Sequence, residues 1–398
     1  MLDGFEEHFG AMTDPRVERS KLHPLKEILF VLLCGTICGA ESWRDFVTFG
    51  QDKLDLLREY YPFEAGIPCK NTFARVCAAI DPEQFRTCFI AWAASLHTLP
   101  AQVIALDGKT VRGSGGGRVG DTADSSAIHM VSAYASGSRL VLGQQKVADK
   151  SNEITAIPAL LDLVDVAGHT ITTDAMGCQR SIAQKIQDKG AHYVLALKGN
   201  QGTLNADVRL FLESEAAKPH SSAIQDTHTE CDAGHGRVET RRCVVSQQLD
   251  WLEQKPHWAG LRSIAMIEET RQCNGHTSTE RRFFISSLPA DARQIAHAVR
   301  AHWAIENALH WTLDVVFHED ASRVRTDHAP QNMATIRHAA LNLLTCAKHH
   351  FKGSSIKGLR KKAGWGNHTL RLILNQKICW DSPVARHPSD LQCPADTV

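Results

Sequence analysis

The 398 residues carry 44 Lys and Arg against 44 Asp and Glu, with 43% hydrophobic residues, 27 Gly and 14 Pro. This balance excludes a disordered chain and a uniformly basic nucleic-acid wrapper, and it supplies core enough for two or three domains. The 12 cysteines include no CxxC pair, so zinc-finger spacing is absent and reduced thiols in a cytoplasmic setting are expected.

In chain order, Leu25 to about Leu57 repeats apolar residues at helical spacing, with Glu41-Ser42 as a break. Its stretch Ile28 to Cys38 is 11 residues long, far short of the roughly 20 that cross a bilayer, so a buried helix and no membrane partner are expected. Further helices are expected after Pro68, through Phe73 and Val76, and from Pro82 to Leu96. Residues 1–98 therefore read as an all-helical domain. Its Pro68 to Ala79 segment is a candidate reading helix for DNA.

At Val103-Ile104-Ala105-Leu106 the pattern changes to a short apolar run ended by Asp107-Gly108-Lys109, a buried strand and turn. The Gly-rich stretch Gly113 to Gly120 follows, read as a flexible loop. It is no P-loop, because that motif needs Gly five residues before Gly108 and position 103 is Val. Strands are expected at His129 to Tyr134 and Leu140 to Val147, joined by a turn. Ser151-Asn152-Glu153 then caps a helix through Leu163. A strand at Thr170 to Asp174, a helix from Gln179 to Lys189 and a strand at Tyr193 to Leu197 complete residues 99–200, the first part of a mixed sheet with helices on its faces. Residues 201–288 read as strands, at Val238 to Ser246, Arg262 to Glu269 and Arg282 to Leu288. Residues 289–398 turn helical through Ile295, Val299, Trp303, Leu309 and Leu313.

Asp107 and Asp174 fall at the carboxyl ends of expected buried strands, where α/β sheets open their ligand crevices. Glu306 falls inside an apolar helix. Buried carboxylates want a cation or a network of donors. Hard oxygen ligands suit Mg²⁺ or Mn²⁺, and two such ions clamp both oxygens of a phosphodiester under in-line attack.

Several motifs surround these acids. They are Leu106-Asp107-Gly108-Lys109, Lys150-Ser151-Asn152-Glu153-Ile154, Thr173-Asp174-Ala175-Met176-Gly177-Cys178-Gln179, Ala196-Leu197-Lys198-Gly199-Asn200-Gln201, His235-Gly236-Arg237-Val238-Glu239-Thr240-Arg241, His302-Trp303-Ala304-Ile305-Glu306-Asn307 and Leu313 to Asp320. Together, in this order over nearly the whole chain, they resemble an insertion-sequence transposase of the DDE class, in the branch of H-repeat-associated proteins linked to Rhs elements. The resemblance implies an RNase H-like mixed-sheet catalytic core, interrupted by a β-rich insertion and preceded by a helical associated domain. It implies Asp107, Asp174 and Glu306 as catalytic acids and metal ligands, two Mg²⁺ (or Mn²⁺) ions, cleavage of element ends and transfer of the 3′-hydroxyl into target DNA. A homodimer in the synaptic complex and a cytoplasmic location follow from the same likeness. One departure stands out: where relatives carry Tyr, Arg and Lys around the helical Glu, this chain has Val299, His302 and Leu313.

Cations expected to meet phosphate are Lys109, Arg112, Lys198, Arg300 and His302 near the acids, with Arg323 and Arg325 as further candidates. Glu319 and Asp320 are expected to pair with Arg323 and Arg325, and Asp314 is an extra ligand, a residue that orients a ligand, or a solvent-facing or helix-pairing residue. From Lys348 to Trp380 there are eight Lys/Arg, including Lys361 and Lys362, and no acid, a pattern suited to phosphate-backbone contact. The same residues also fit a catalytically retired copy that binds DNA, or a metal-dependent DNA nuclease without strand transfer.

Overall fold

A computed structural model describes residues 2–96, 100–116, 127–148, 151–234 and 236–375. Lys150, His235, Lys377, Trp380 and residues 117–126, which include part of the Gly-rich stretch, therefore lie outside the described residues. The amino-terminal part is helical: α1 (Leu2–Phe9), α2 (Leu25–Cys38), α3 (Trp43–Asp52), α4 (Leu54–Leu57), α5 (Lys70–Ala79) and α6 (Pro82–Ser95). The expected break at Glu41-Ser42 is a reciprocal cap, in which Ser42 and Asp45 satisfy each other's backbone N–H groups. Helix α2 ends at Gly39, whose φ of 102° suits glycine. Its apolar residues are buried almost all round, which explains their near-continuous run in the sequence.

The strands β1 (Val103–Thr110), β2 (His129–Ala135) and β3 (Leu140–Lys146) form an antiparallel meander. After α7 (Glu153–Leu163), strand β4 (Thr170–Thr173) pairs parallel to β1. After α8 (Arg180–Asp188), β5 (His192–Leu197) pairs parallel to β4. This 3-2-1-4-5 order with helices between the parallel strands is the RNase H-like core.

The chain after β5 extends the same sheet. Helix α9 (Gly202–Ala216) leads to β6 (Asp226–Gly234), β7 (Arg237–Ser246), β8 (Ser263–Cys273) and β9 (His276–Ser286). Strand β9 pairs antiparallel with β5, giving nine strands in the order β3-β2-β1-β4-β5-β9-β8-β7-β6. Two elements here depart from the expected run of strands. Helix α9 buries Leu204, Val208 and Leu212 at four-residue spacing. Strand β6 is the sheet's edge and is largely exposed, so no apolar alternation marks it in the sequence.

The chain returns through α10 (Ala292–Ala304), a π-helical turn over Ile305–His310, and α11 (Trp311–Val315). Helix α12 (Ala329–Ala347) is buried along nearly its whole length. Asn342 Nδ2 donates to the Val141 carbonyl at 2.8 Å and its Oδ1 accepts from Val141 N–H at 2.9 Å, so α12 caps the free edge of β3. Asn332 Nδ2 donates to the carbonyls of Cys77 at 2.8 Å and Ile80 at 3.0 Å, tying α12 to the end of α5. Helix α13 (Ile356–Trp365) packs on α2, and α14 (Asn367–Leu374) packs on α12 and α13. No single helix among the described residues is long and apolar enough to cross a membrane.

Candidate active site

The parallel register pairs Val103 with Thr170 and Leu106 with Thr173. The next residues are Asp107, where β1 leaves β4 but runs on beside β2 to Thr110 instead of turning as expected, and Asp174, just past the end of β4. The two acids therefore stand side by side on neighbouring strands about 4.8 Å apart. Asp107 Oδ1 accepts from Gly108 N–H at 2.9 Å. Asp174 Oδ1 accepts from Gly177 N–H at 3.1 Å.

Glu306 arrives from the opposite direction. It sits in the π-helical turn between α10 and α11, whose wider winding is seen where Trp311 N–H bonds the Glu306 carbonyl five residues back. Such single π turns concentrate at functional positions because they re-aim one side chain without ending the helix. The turn packs on β1, and Glu306 and Asp174 line one cleft of about 470 Å³ with Lys198, Arg209, Arg281 and Arg282.

Electrostatics mark this as an acid cluster with little compensation. Burial pushes the Asp107 carboxyl up, the Gly108 N–H pulls it back, and the charges of Glu153, Asp174 and Glu306 raise it again, to about 7. Burial also raises Asp174, against the Gly177 and Met176 N–H groups and Lys198. Among the described residues no Lys or Arg forms an ion pair with Asp107, Asp174 or Glu306. The nearest basic group to Asp107 is His310, with Nδ1 3.8 Å from Oδ2. Burial holds the His310 imidazole down at about 4, so it brings no positive charge at neutral pH. Oxygen donors that no described Lys or Arg pairs directly, although cations line the rim of the cleft, suit a hard divalent cation. Among the described residues no three His, Cys, Asp or Glu side chains close tightly round a single point. Three like charges without a counterion repel, and Glu306 is exposed on a rotatable side chain.

The expected phosphate contacts separate into distinct groups. Lys198 is exposed at the cleft, close enough to lower Asp174. Lys109 is a correction. Its side chain is only 10% exposed, and the ammonium meets Asp314 at 2.8 Å, Glu319 at 3.1 Å and Asp320 at 3.1 Å. Glu319 and Asp320 accordingly do not pair with Arg323 or Arg325. Glu319 is shared between Lys109 and Arg337, and Asp320 between Lys109 and Arg112. Asp314, on α11, is a partner of Lys109 on β1 and so ties helix to strand. Arg325 Nε donates to the Gly113 carbonyl at 3.0 Å, and Arg323 is exposed beside a second cavity. Gly113 has no space for a side chain, because a Cβ there would fall 2.2 Å from the Ser322 carbonyl oxygen.

His302 is also corrected as a cation. Burial pushes its imidazole down to about 4, and Nδ1 lies 3.0 Å from Thr172 Oγ1. Arg300 lines a neighbouring cavity of about 780 Å³, 3.6 Å from Asp232. Trp303, expected as an apolar neighbour of Glu306, is 41% exposed with the Arg282 guanidinium 4.7 Å over its ring. Arg282, on β9, was not singled out in the sequence because its place beside the cleft depends on the long pairing of β9 with β5.

The basic run after α12 is not uniform. Arg360 is buried, donates to the Thr36 carbonyl at 2.9 Å and to the Val316 carbonyl, and stacks 4.2 Å over Phe317. Arg371 pairs with Glu59 at 2.5 Å. Lys352, Lys357, Lys361 and Lys362 are exposed. Arg360→Ala is expected to cost about 3 kcal/mol of stability through lost charged hydrogen bonds. Lys361→Ala or Lys362→Ala is expected to leave melting unchanged and lower the salt dependence of DNA affinity by about one unit of slope each. Thermal melts beside a salt titration of DNA binding separate the two classes.

The helical segment and the core match two family models. Residues 6–93 match the DDE_Tnp_1-associated model, and residues 98–343 match the Transposase DDE domain. YncI of Escherichia coli O157:H7 is 42% identical over 375 residues, covering 92% of this chain and 93% of that protein. The H repeat-associated protein YhhI of Escherichia coli strain K12 is 40% identical over 373 residues, covering 92% and 97%. The cryo-EM structure of the piggyBac transposase synaptic complex with hairpin DNA aligns over 95% of this chain and 78% of that chain, at 11% identity and a TM-score of 0.42. With its two aspartates side by side on neighbouring parallel strands and a Glu on the returning helix, this chain belongs to the DDE transposase family, in the branch of the H repeat-associated proteins.

Proposed function

We propose that the protein cuts the ends of an insertion sequence and joins the freed 3′-hydroxyl to target DNA, both at one site built on Asp107, Asp174 and Glu306. The observation that carries this reading is the register of β1 and β4, which sets Asp107 beside Asp174 under the π turn that bears Glu306. The three carboxylates would hold Mg²⁺ or Mn²⁺, two ions in all. Bound there, the ions supply charge stabilisation to the attacking and leaving oxygens of the phosphodiester. Lys198 meets a non-bridging phosphate oxygen at the rim, and Arg282 with Trp303 flanks the strand entering the cleft. Neutral His302, bonded to Thr172, fixes α10 against β4 and so sets the height of Glu306 over the aspartates. The protein acts in the cytoplasm as a homodimer that holds two element ends. The same proposal divides the chain into a helical associated domain over 1–98, core segments over 99–200 and 289–398, and an insertion over 201–288. The α5 segment of the helical domain is the proposed DNA-reading helix.

The test is an assay with duplex element end, supplied target DNA and Mg²⁺. Cleavage followed by joined product supports the proposal. Cleavage without joined product turns the reading into a nuclease, and binding without cleavage turns it into a retired copy.

A further inference from the structure

A fourth acid lies at the same sheet edge. Asn152 accepts from Ile154 N–H at 3.1 Å, so the start of α7 is capped without help from Glu153. Glu153 turns across the sheet instead, with Oε1 2.7 Å from His129 Nε2. His129 Nδ1 in turn lies 2.8 Å from Thr110 Oγ1. This chain is satisfied when Nε2–H donates to Glu153 and the Thr110 hydroxyl donates to Nδ1. A Cβ on Gly108 would fall 2.1 Å from Glu153 Oε1, so the carboxylate lies against the backbone of the residue next to Asp107, in space that only glycine leaves.

The Glu153 side chain is 13% exposed, and its one ion-pair partner among the described residues is His129. A carboxylate this enclosed wants more than one neutral donor. Its charge bears on both aspartates, since Glu153 contributes to the upward push on Asp107 and on Asp174. Metal-binding carboxylates are commonly fixed through one oxygen by such an outer hydrogen bond, which leaves the other oxygen for the ion. Glu153 Oε2 has no hydrogen-bond partner among the described residues.

We propose that Glu153 is a fourth acidic ligand of the divalent-metal site, sharing an ion with Asp107 and Asp174, and that His129 is the positioning residue that fixes its carboxylate. The inference rests on the metal-dependent reading above. It is tested with the full chain by electron paramagnetic resonance titration of Mn²⁺ without DNA, comparing wild type, Asp107→Asn, Glu153→Gln, Glu153→Asp and His129→Ala. Expected are a roughly 10–100-fold weaker Mn²⁺ affinity for Glu153→Gln, a smaller loss for His129→Ala and partial recovery in Glu153→Asp. In parallel, the Mg²⁺ concentration for half-maximal end cleavage rises in Glu153→Gln. If Asp107→Asn loses Mn²⁺ while Glu153→Gln binds as wild type does, Glu153 is no ligand and the metal reading stands. If neither substitution changes Mn²⁺ binding, the metal reading fails and this inference with it. Should Glu153→Gln not fold, Glu153→Asp carries the comparison, and wild-type Mn²⁺ affinity in that variant overturns the proposal.

Discussion

Asp107→Asn, Asp174→Asn and Glu306→Gln are each expected to abolish end cleavage, by on the order of 10³-fold or more, while element-end DNA is still bound. Charge stabilisation from a metal clamp is worth several kcal/mol, and each 1.36 kcal/mol is about tenfold in rate. The amides keep the shape of the side chains and can still accept from the N–H groups that hold the aspartates, Gly108 for Asp107 and Gly177 for Asp174. They remove charge from a cluster in which Glu153, Asp174 and Glu306 all push Asp107 upward. Without divalent cation, Asp107→Asn is therefore expected to melt at the same temperature as wild type or about 1–2 °C higher. Added Mg²⁺ should raise the wild-type melting temperature and leave the variant's unchanged, because only a bound ligand stabilises the native state. Retained cleavage in Asp174→Asn, measured with Mg²⁺ on labelled duplex, would sink the assignment.

The two aspartates are legible because each follows a short apolar run; Asp174 lies just past the end of its strand, whereas β1 continues through Asp107 to Thr110, where it pairs with β2 alone and leaves the fully buried zone. Their closeness is not in the sequence; it comes from the parallel register of strands 67 positions apart at their acids. Glu306 is legible from the surrounding motif, yet its π turn is not, since the apolar spacing continues through it. Glu153 sits inside a recognised motif but reads as a helix-start acid, because an acid in the first turn favours the helix whichever way its side chain turns. Only the packing of α7 on β2 and β3 sends it toward Asp107. Arg360 reads as one more cation in a basic run, since nothing local announces that Thr36 and Val316 supply its carbonyls. Patterns of two or four residues survive in sequence; partners hundreds of residues apart do not.

Lys109 is the case in which that difference has the largest energetic consequence. Two residues after Asp107, it looks like a phosphate contact, but three carboxylates from α11 and the turn after it enclose its ammonium. Burial alone would lower its pKa, and Glu319, Asp314 and Asp320 instead hold it above the usual lysine range. Glu319 is 2% exposed and keeps its depressed pKa through Arg337 and Lys109. Lys109→Met preserves the length of the side chain and leaves Glu319 with Arg337 alone. Removing one member of a buried charge cluster costs about 3–5 kcal/mol, roughly 4–6 °C in a chain of this size. The loss should be greatest at neutral pH and shrink in acid. Glu319 has a depressed folded pKa, so the stability its charge contributes is present above the unfolded carboxylate value and disappears as pH falls through the folded one. Differential scanning calorimetry of Lys109→Met from neutral to acidic pH checks this, beside a salt titration of DNA binding. A melting temperature equal to wild type with a DNA salt slope lowered by about one would return Lys109 to the DNA surface. A lowered melting temperature with an unchanged slope makes it the tie between β1 and the helical segment that follows Glu306.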